Sequence, residues 1–181
     1  SFDIESRPKV DIIISMDASG SMTDEQNNLS SFANEFTNLL NQSNLDWRVG
    51  VTSVACSNIK EDTELSQDFR DFWPSGGSLF NPQDSVCNQP LGGFGGKTNG
   101  KLVGGDFTTS PTQISSRLSN VNSDASEYAM TMGAAAVDRA MPRMGGAKNI
   151  RKDASVIVIA VTDEMDEFFA KDIEAFRYSF D

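Results

Sequence analysis

The sequence predicts an α/β domain with a mostly parallel central sheet and helices on both faces. Two near-continuous apolar runs, VDIII at 10–14 and SVIVIAV at 155–161, have the composition of strands covered on both sides. Between the first run and a second β-rich stretch at 47–55 lies an amphipathic helix pattern. Strand, helix and strand in that order make a βαβ unit, whose two strands run parallel.

The elements follow in chain order. Lys9 to Met16 is the first buried strand. The helix after it has Thr23 and Gln26 at capping-box spacing, with Asp24 and Glu25 adding negative charge to its first turn. Leu29, Phe32, Ala33, Phe36, Leu39 and Leu40 recur at steps of three and four, a core-facing stripe, and the helix ends over 41–44. WRVGVTSVA at 47–55 is β-branched and alternating, a second strand. Residues 57–106 are rich in Gly, Ser, Asn, Asp and Pro and read as a long insertion, with room for a short strand near 101–107. Pro111 opens a short helix whose Ile114, Leu118 and Val121 share a face. A further helix runs from about 127 to 141 with Ala129, Met132, Ala136, Val137 and Ala140 near one face, and Gly145 and Gly146 mark its end. The run at 155–162 is another buried strand and leads straight into Asp163 and Glu164. A last helix at about 170–178 carries Ile173 and Phe176.

Composition removes several functions. The chain of 181 residues has no histidine, which excludes Ser-His-Asp and Cys-His nucleophiles and imidazole-based zinc sites. Two cysteines are too few for four-thiolate zinc or iron–sulfur sites. A net charge of −11 disfavours a nucleic-acid partner and favours cations. No apolar run approaches the roughly 18 residues needed to span a membrane. Cys56 and Cys87 are either free thiols or one disulfide across the insertion; their polar, loop-like surroundings favour the disulfide, and with it an oxidising compartment.

The first strand breaks off into MDASGSMTDEQ, residues 16–26. Helix capping accounts for one of Asp17, Ser19 and Ser21, but not for an acid closing a buried strand. The second apolar run also ends in an acid, Asp163. Ligands of parallel α/β sheets gather at the carboxyl ends of strands, so both acids are expected at one crevice. Carboxylate and hydroxyl oxygens with water suit a hard divalent cation, Mg²⁺ best, with one coordination position left open. Other motifs fail on spacing. The Gly-Lys-Thr at 96–98 has Leu91 where a phosphate loop needs glycine, and counting from Asp17 puts Met22 at the glycine position of an EF-hand loop.

Asp17-Ala18-Ser19-Gly20-Ser21 matches the DxSxS signature of von Willebrand factor A domains, VDIIISMDASGSM resembles that family's first strand, and VIVIAVTDE resembles the later strand whose terminal Asp completes the metal site. The resemblance covers most of 9–55 and 110–170 and is to the secreted or surface A-type domains of bacteria. It implies a three-layer, Rossmann-like fold with a metal-ion-dependent adhesion site. In that site Ser19 and Ser21 bind the ion directly, and Asp17 and Asp163 hold it mostly through water. The family also uses a threonine ahead of a helix; this chain offers Ser126, next to Glu127, with Thr131 and Thr109 as weaker candidates.

Length predicts one domain over 1–181 and composition places the insertion at about 57–106; against the family's fold the C-terminal part reads as truncated at Asp181. The resemblance implies a binding module and not an enzyme. Mg²⁺, with Mn²⁺ or Ca²⁺ as alternatives, would receive a carboxylate from a protein partner, outside the cell, at its surface or in the periplasm, with no nucleic acid and no membrane insertion. The competing class is an intracellular A-type subunit of a metal-chelatase-like or other multiprotein complex; a Mg²⁺-dependent hydrolase is more remote.

Overall fold

Strand β1 (Lys9–Met16) is the middle strand of a three-stranded parallel sheet, between β2 (Asp46–Ser53) and β3 (Ser155–Val161), which is why it needs apolar residues on both faces. The computed structural model describes residues 7–55, 59, 62–72, 99–121, 128–141 and 150–163. β2 pairs from Lys9↔Asp46 to Met16↔Ser53, and β3 from Val10↔Ser155 to Met16↔Val161. The α/β architecture, the parallel pairing and the βαβ unit are as the sequence predicts.

Alternate residues of β1 serve two layers. Val10, Ile12, Ile14 and Met16 pack with Ala33 of α1 (Thr23–Gln42) and with Ile114 and Leu118 of α3 (Pro111–Ser119). Ile13 packs on the other face with Ala136 and Ala140 of α4 (Ala129–Ala140) and with Ile150. Each fully buried isoleucine contributes roughly 1.5–3 kcal/mol. Gly133 lets α4 lie close on the sheet, since a Cβ there would fall 2.5 Å from Val158 Cγ1. Ile59 and Leu65, ahead of the short helix α2 (Gln67–Phe72), pack in one cluster with Met132 and Ala135.

Four expectations are corrected. The capping box does not form: Met22 is the N-cap of α1, Thr23 Oγ1 donates to Gly20 O at 3.0 Å, and Gln26 Nε2 reaches Leu118 O at 2.8 Å. Gln26 therefore ties α1 to α3 instead of closing a helix end. The apolar stripe of α1 is narrower than its periodicity implies. Ala33 is buried and Leu29, Phe36 and Leu40 are partly buried, but Phe32 and Leu39 lie beside the contact and are exposed, while Thr37 is buried with its hydroxyl on Asn34 O. Residues 101–107 hold no strand. Gly104 and Gly105 have φ of 77° and 79°, which breaks extended pairing, and a 3-10 turn (Val103–Gly105) forms, followed by a single antiparallel bridge between Val49 and Thr108. β3 is not buried: Val156, Ile157, Val158 and Ile159 are 36–46% exposed, because β3 is the outer strand among the described residues.

The amino edge of the sheet is closed by charge. Asp11 is fully buried and accepts from Arg48 Nε (2.7 Å) and Nη2 (2.8 Å) and from the Arg151 backbone N–H (2.7 Å) and Nε (2.9 Å). Arg48 lies 4.3 Å from the centre of the Phe107 ring, and Arg151 also pairs with Asp46. At the other edge, Arg139 of α4 holds Asp62, Glu64 and Asn99 O, and Thr52 Oγ1 donates to Lys101 O at 3.0 Å. These bonds fix the 62–66 and 99–101 segments beside the end of β2.

Cys56, Cys87, Ser126, the start of the helix at Glu127, Gly145 and Gly146, most of 57–106 and the helix at 170–178 fall outside the described residues. Among the described residues no helix is long and apolar enough to cross a membrane.

Candidate metal centre

The ladder between β1 and β3 runs one step beyond the last residue of β1. Asp17 N–H donates to Val161 O at 2.9 Å, so the acid's backbone is anchored to the end of β3. Its side chain is fully buried. Oδ1 accepts from the Ser19 backbone N–H at 2.8 Å, an Asx turn, and Oδ2 accepts from Thr162 Oγ1 at 3.0 Å. Ala18 and Met22 are buried in the core, Ser19 is half-buried and Gly20 and Ser21 are exposed, so the turn shows its hydroxyls and hides its apolar atoms.

Neither serine is used as a helix cap. Ser19 precedes the 3-10 turn (Gly20–Met22) with extended backbone (φ −58°, ψ 162°) and makes no side-chain cap bond; α1 begins after Met22, also without one. Instead Ser19 Oγ and Ser21 Oγ meet each other at 3.0 Å. Capping, the ordinary use of serines at such a place, is thus set aside by the geometry.

The two edges of the sheet treat their acids differently. Asp11 is answered by two guanidinium groups. Burial by itself pushes the Asp11 carboxyl up, but the Arg48 hydrogen bond, the Arg151 backbone N–H and the two positive charges outweigh it, and its pKa lies below the ordinary value. Asp17 is as deeply buried, yet among the described residues no Lys or Arg pairs with it, and both of its donors are neutral.

Of the residues the sequence singles out, Asp17, Ser19 and Ser21 come together through hydrogen bonds. Asp163 stands exposed just past Thr162, at the carboxyl end of the neighbouring strand, and no hydrogen bond joins it to the other three among the described residues. Ser126 lies outside the described residues, and Thr131 is buried within α4. The sequence reading missed Thr162; its signal is a hydroxyl residue between the end of the apolar run and the acid at 163.

The donor set fits a hard cation. Among the described residues no three Asp, Glu, His or Cys side chains gather in one place, so an ion here would rest on two hydroxyls, two acids and water. An octahedral Mg²⁺ with bonds of about 2.0–2.1 Å places neighbouring ligand oxygens about 2.9 Å apart. The serine hydroxyls stand 3.0 Å apart, an ordinary O–H···O distance that also lies close to that edge. No protein-family model matches this chain, and no curated protein matches it either.

Proposed function

We propose that the chain is a metal-dependent protein-binding module of the von Willebrand factor A type, working outside the cell or at its surface. Ser19 and Ser21 bind Mg²⁺ directly, Asp17 and Asp163 hold it mostly through water, and Ser126 takes the position of the family's threonine. The ion supplies an electrophilic centre with a free coordination position, which a carboxylate of the partner protein fills. Mn²⁺ and Ca²⁺ are alternative occupants. The chain binds and does not turn over a substrate.

The observation that carries this reading is the Asp17 side chain. It is fully buried at the carboxyl edge of the sheet with neutral donors as its described partners, next to two hydroxyls that cap no helix. Buried carboxylates are ordinarily paired with a cation or a metal, and here the pairing ion comes from outside the chain. A thermal-shift titration with Mg²⁺, Mn²⁺ and Ca²⁺ on the wild type and Asp17→Ala tests it. The wild type should gain about 1–3 kcal/mol at saturating metal, and the variant should gain nothing. An equal response in both proteins places the ion elsewhere and removes this reading.

A further inference from the structure

Asp17 is held at three points by groups from two segments, once through its backbone and twice through its carboxylate. Its backbone N–H is bonded to Val161 O (2.9 Å), Oδ1 to the Ser19 N–H (2.8 Å) and Oδ2 to the Thr162 hydroxyl (3.0 Å). Thr162 is half-buried and directly follows β3, whereas Ser19 belongs to the turn after β1. The carboxylate plane is therefore set jointly by both strand ends. Each oxygen has given one acceptor direction to a protein donor, and the two donors pull from different segments.

That pose has a chemical consequence. Ca²⁺ takes 6–8 oxygens at about 2.3–2.6 Å and commonly chelates both oxygens of one carboxylate. Chelation needs both Asp17 oxygens turned to one ion, which the Thr162 and Ser19 bonds oppose. Mg²⁺ keeps its waters, requires octahedral geometry and is satisfied by one oxygen or by a water between.

We propose that Thr162 is a positioning residue that sets cation selectivity: its hydroxyl holds the Asp17 carboxylate in a pose that accepts Mg²⁺ and disfavours chelation of Ca²⁺. This rests on the metal reading above. Thr162 itself touches no ion; it acts through Asp17.

The test is titration calorimetry with MgCl₂ and with CaCl₂ on EDTA-stripped wild type, Thr162→Val and Thr162→Ser, with far-UV circular dichroism as the check on folding. Loss of an outer-sphere partner of this kind typically costs 10–100-fold in metal affinity. Thr162→Val should bind Mg²⁺ about 10-fold more weakly while Ca²⁺ binding holds or improves, so the Mg²⁺ to Ca²⁺ preference falls about 10-fold. Thr162→Ser, which keeps the hydroxyl, should restore the wild-type preference. Should the valine variant fail to fold, Thr162→Ala decides in its place. A preference unchanged in the hydroxyl-deleted variant, or both ions weakened equally, overturns the role of Thr162 while leaving the metal reading intact. A wild type that binds neither ion overturns both.

Discussion

Ser19 Oγ and Ser21 Oγ stand 3.0 Å apart, bonded to each other rather than to the start of the helix that follows them. A hydrogen bond between two outward-facing hydroxyls adds little to stability, so removing either should be nearly silent in the absence of metal. In EDTA, Ser19→Ala and Ser21→Ala are expected to unfold within about 0.5 kcal/mol of the wild type. In saturating Mg²⁺ each should lose most of the stabilisation that the wild type gains, and the double variant should lose no more than the larger single loss, because both hydroxyls serve one ion. Urea titrations with and without Mg²⁺ measure all four proteins. A cost in EDTA as large as the cost in Mg²⁺ would mean that the pair is structural.

Asp11 gives the chain an acid-sensitive fold. Its carboxylate is fully buried and held by Arg48 and Arg151, and its pKa in the folded protein lies below the ordinary 3.8. The ionised form therefore stabilises the fold above about pH 4, and that contribution drains away as pH falls through the lowered folded-state value. Asp11→Asn should cost about 3 kcal/mol at pH 7, the low end for a broken buried pair, because the two guanidinium groups retain some solvent contact. The gap between variant and wild type should narrow below pH 4. Urea unfolding of both proteins from pH 7 to pH 3 checks this, and a gap that widens in acid contradicts it.

What could be read in advance followed from local pattern. The VDIII run, the amphipathic helix and the WRVGVTS stretch specify a parallel pair without knowledge of any contact, and DASGS places hydroxyls and an acid at its end. The failures share a cause. Val156–Ile159 has the composition of a covered strand, but burial depends on neighbours, and β3 is the outer strand of the described sheet. Phe32 and Leu39 fit a helical period that does not specify how wide the buried stripe is. Gln26 chose Leu118 O, 92 residues away, over a local cap. The pairing of Asp11 with Arg48 and Arg151, and of Asp17 with Thr162, spans 37 to 145 residues and has no local signal at all.

The contrast between middle and outer strand can be measured with one residue type. Ile13 is fully buried in β1, while Ile157 of β3 is 46% exposed. Ile13→Ala removes methyl groups from a packed interior and leaves a cavity, at a cost of about 3–4 kcal/mol. Ile157→Ala loses only part of that transfer energy and leaves no enclosed void, so about 1 kcal/mol is expected. Guanidinium denaturation of the two variants side by side gives the ratio. Equal costs would mean that β3 is covered as completely as β1.

Gly100 is the place where a single methyl group should be least tolerated. Its φ is +77°, a conformation that costs an L-residue about 1–2 kcal/mol. A Cβ there would lie 2.4 Å from Ala136 N and 2.6 Å from Ala135 C, backbone atoms of α4 that no rotamer change can move aside. Overpacking of this kind adds about 1–3 kcal/mol, so Gly100→Ala should destabilise the protein by about 3 kcal/mol in all. Gly20→Ala is the natural comparison, because a Cβ at Gly20 meets nothing within 4 Å and its φ is not positive. In a thermal melt without metal, the Gly20 variant should stay within about 0.5 kcal/mol of the wild type. The Gly100 variant should melt well below it, since the segment it displaces carries Asn99 and Lys101, which tie the end of β2 to Asp62 and Glu64. A Gly100 variant that melts with the wild type would show that this segment does not lie against α4.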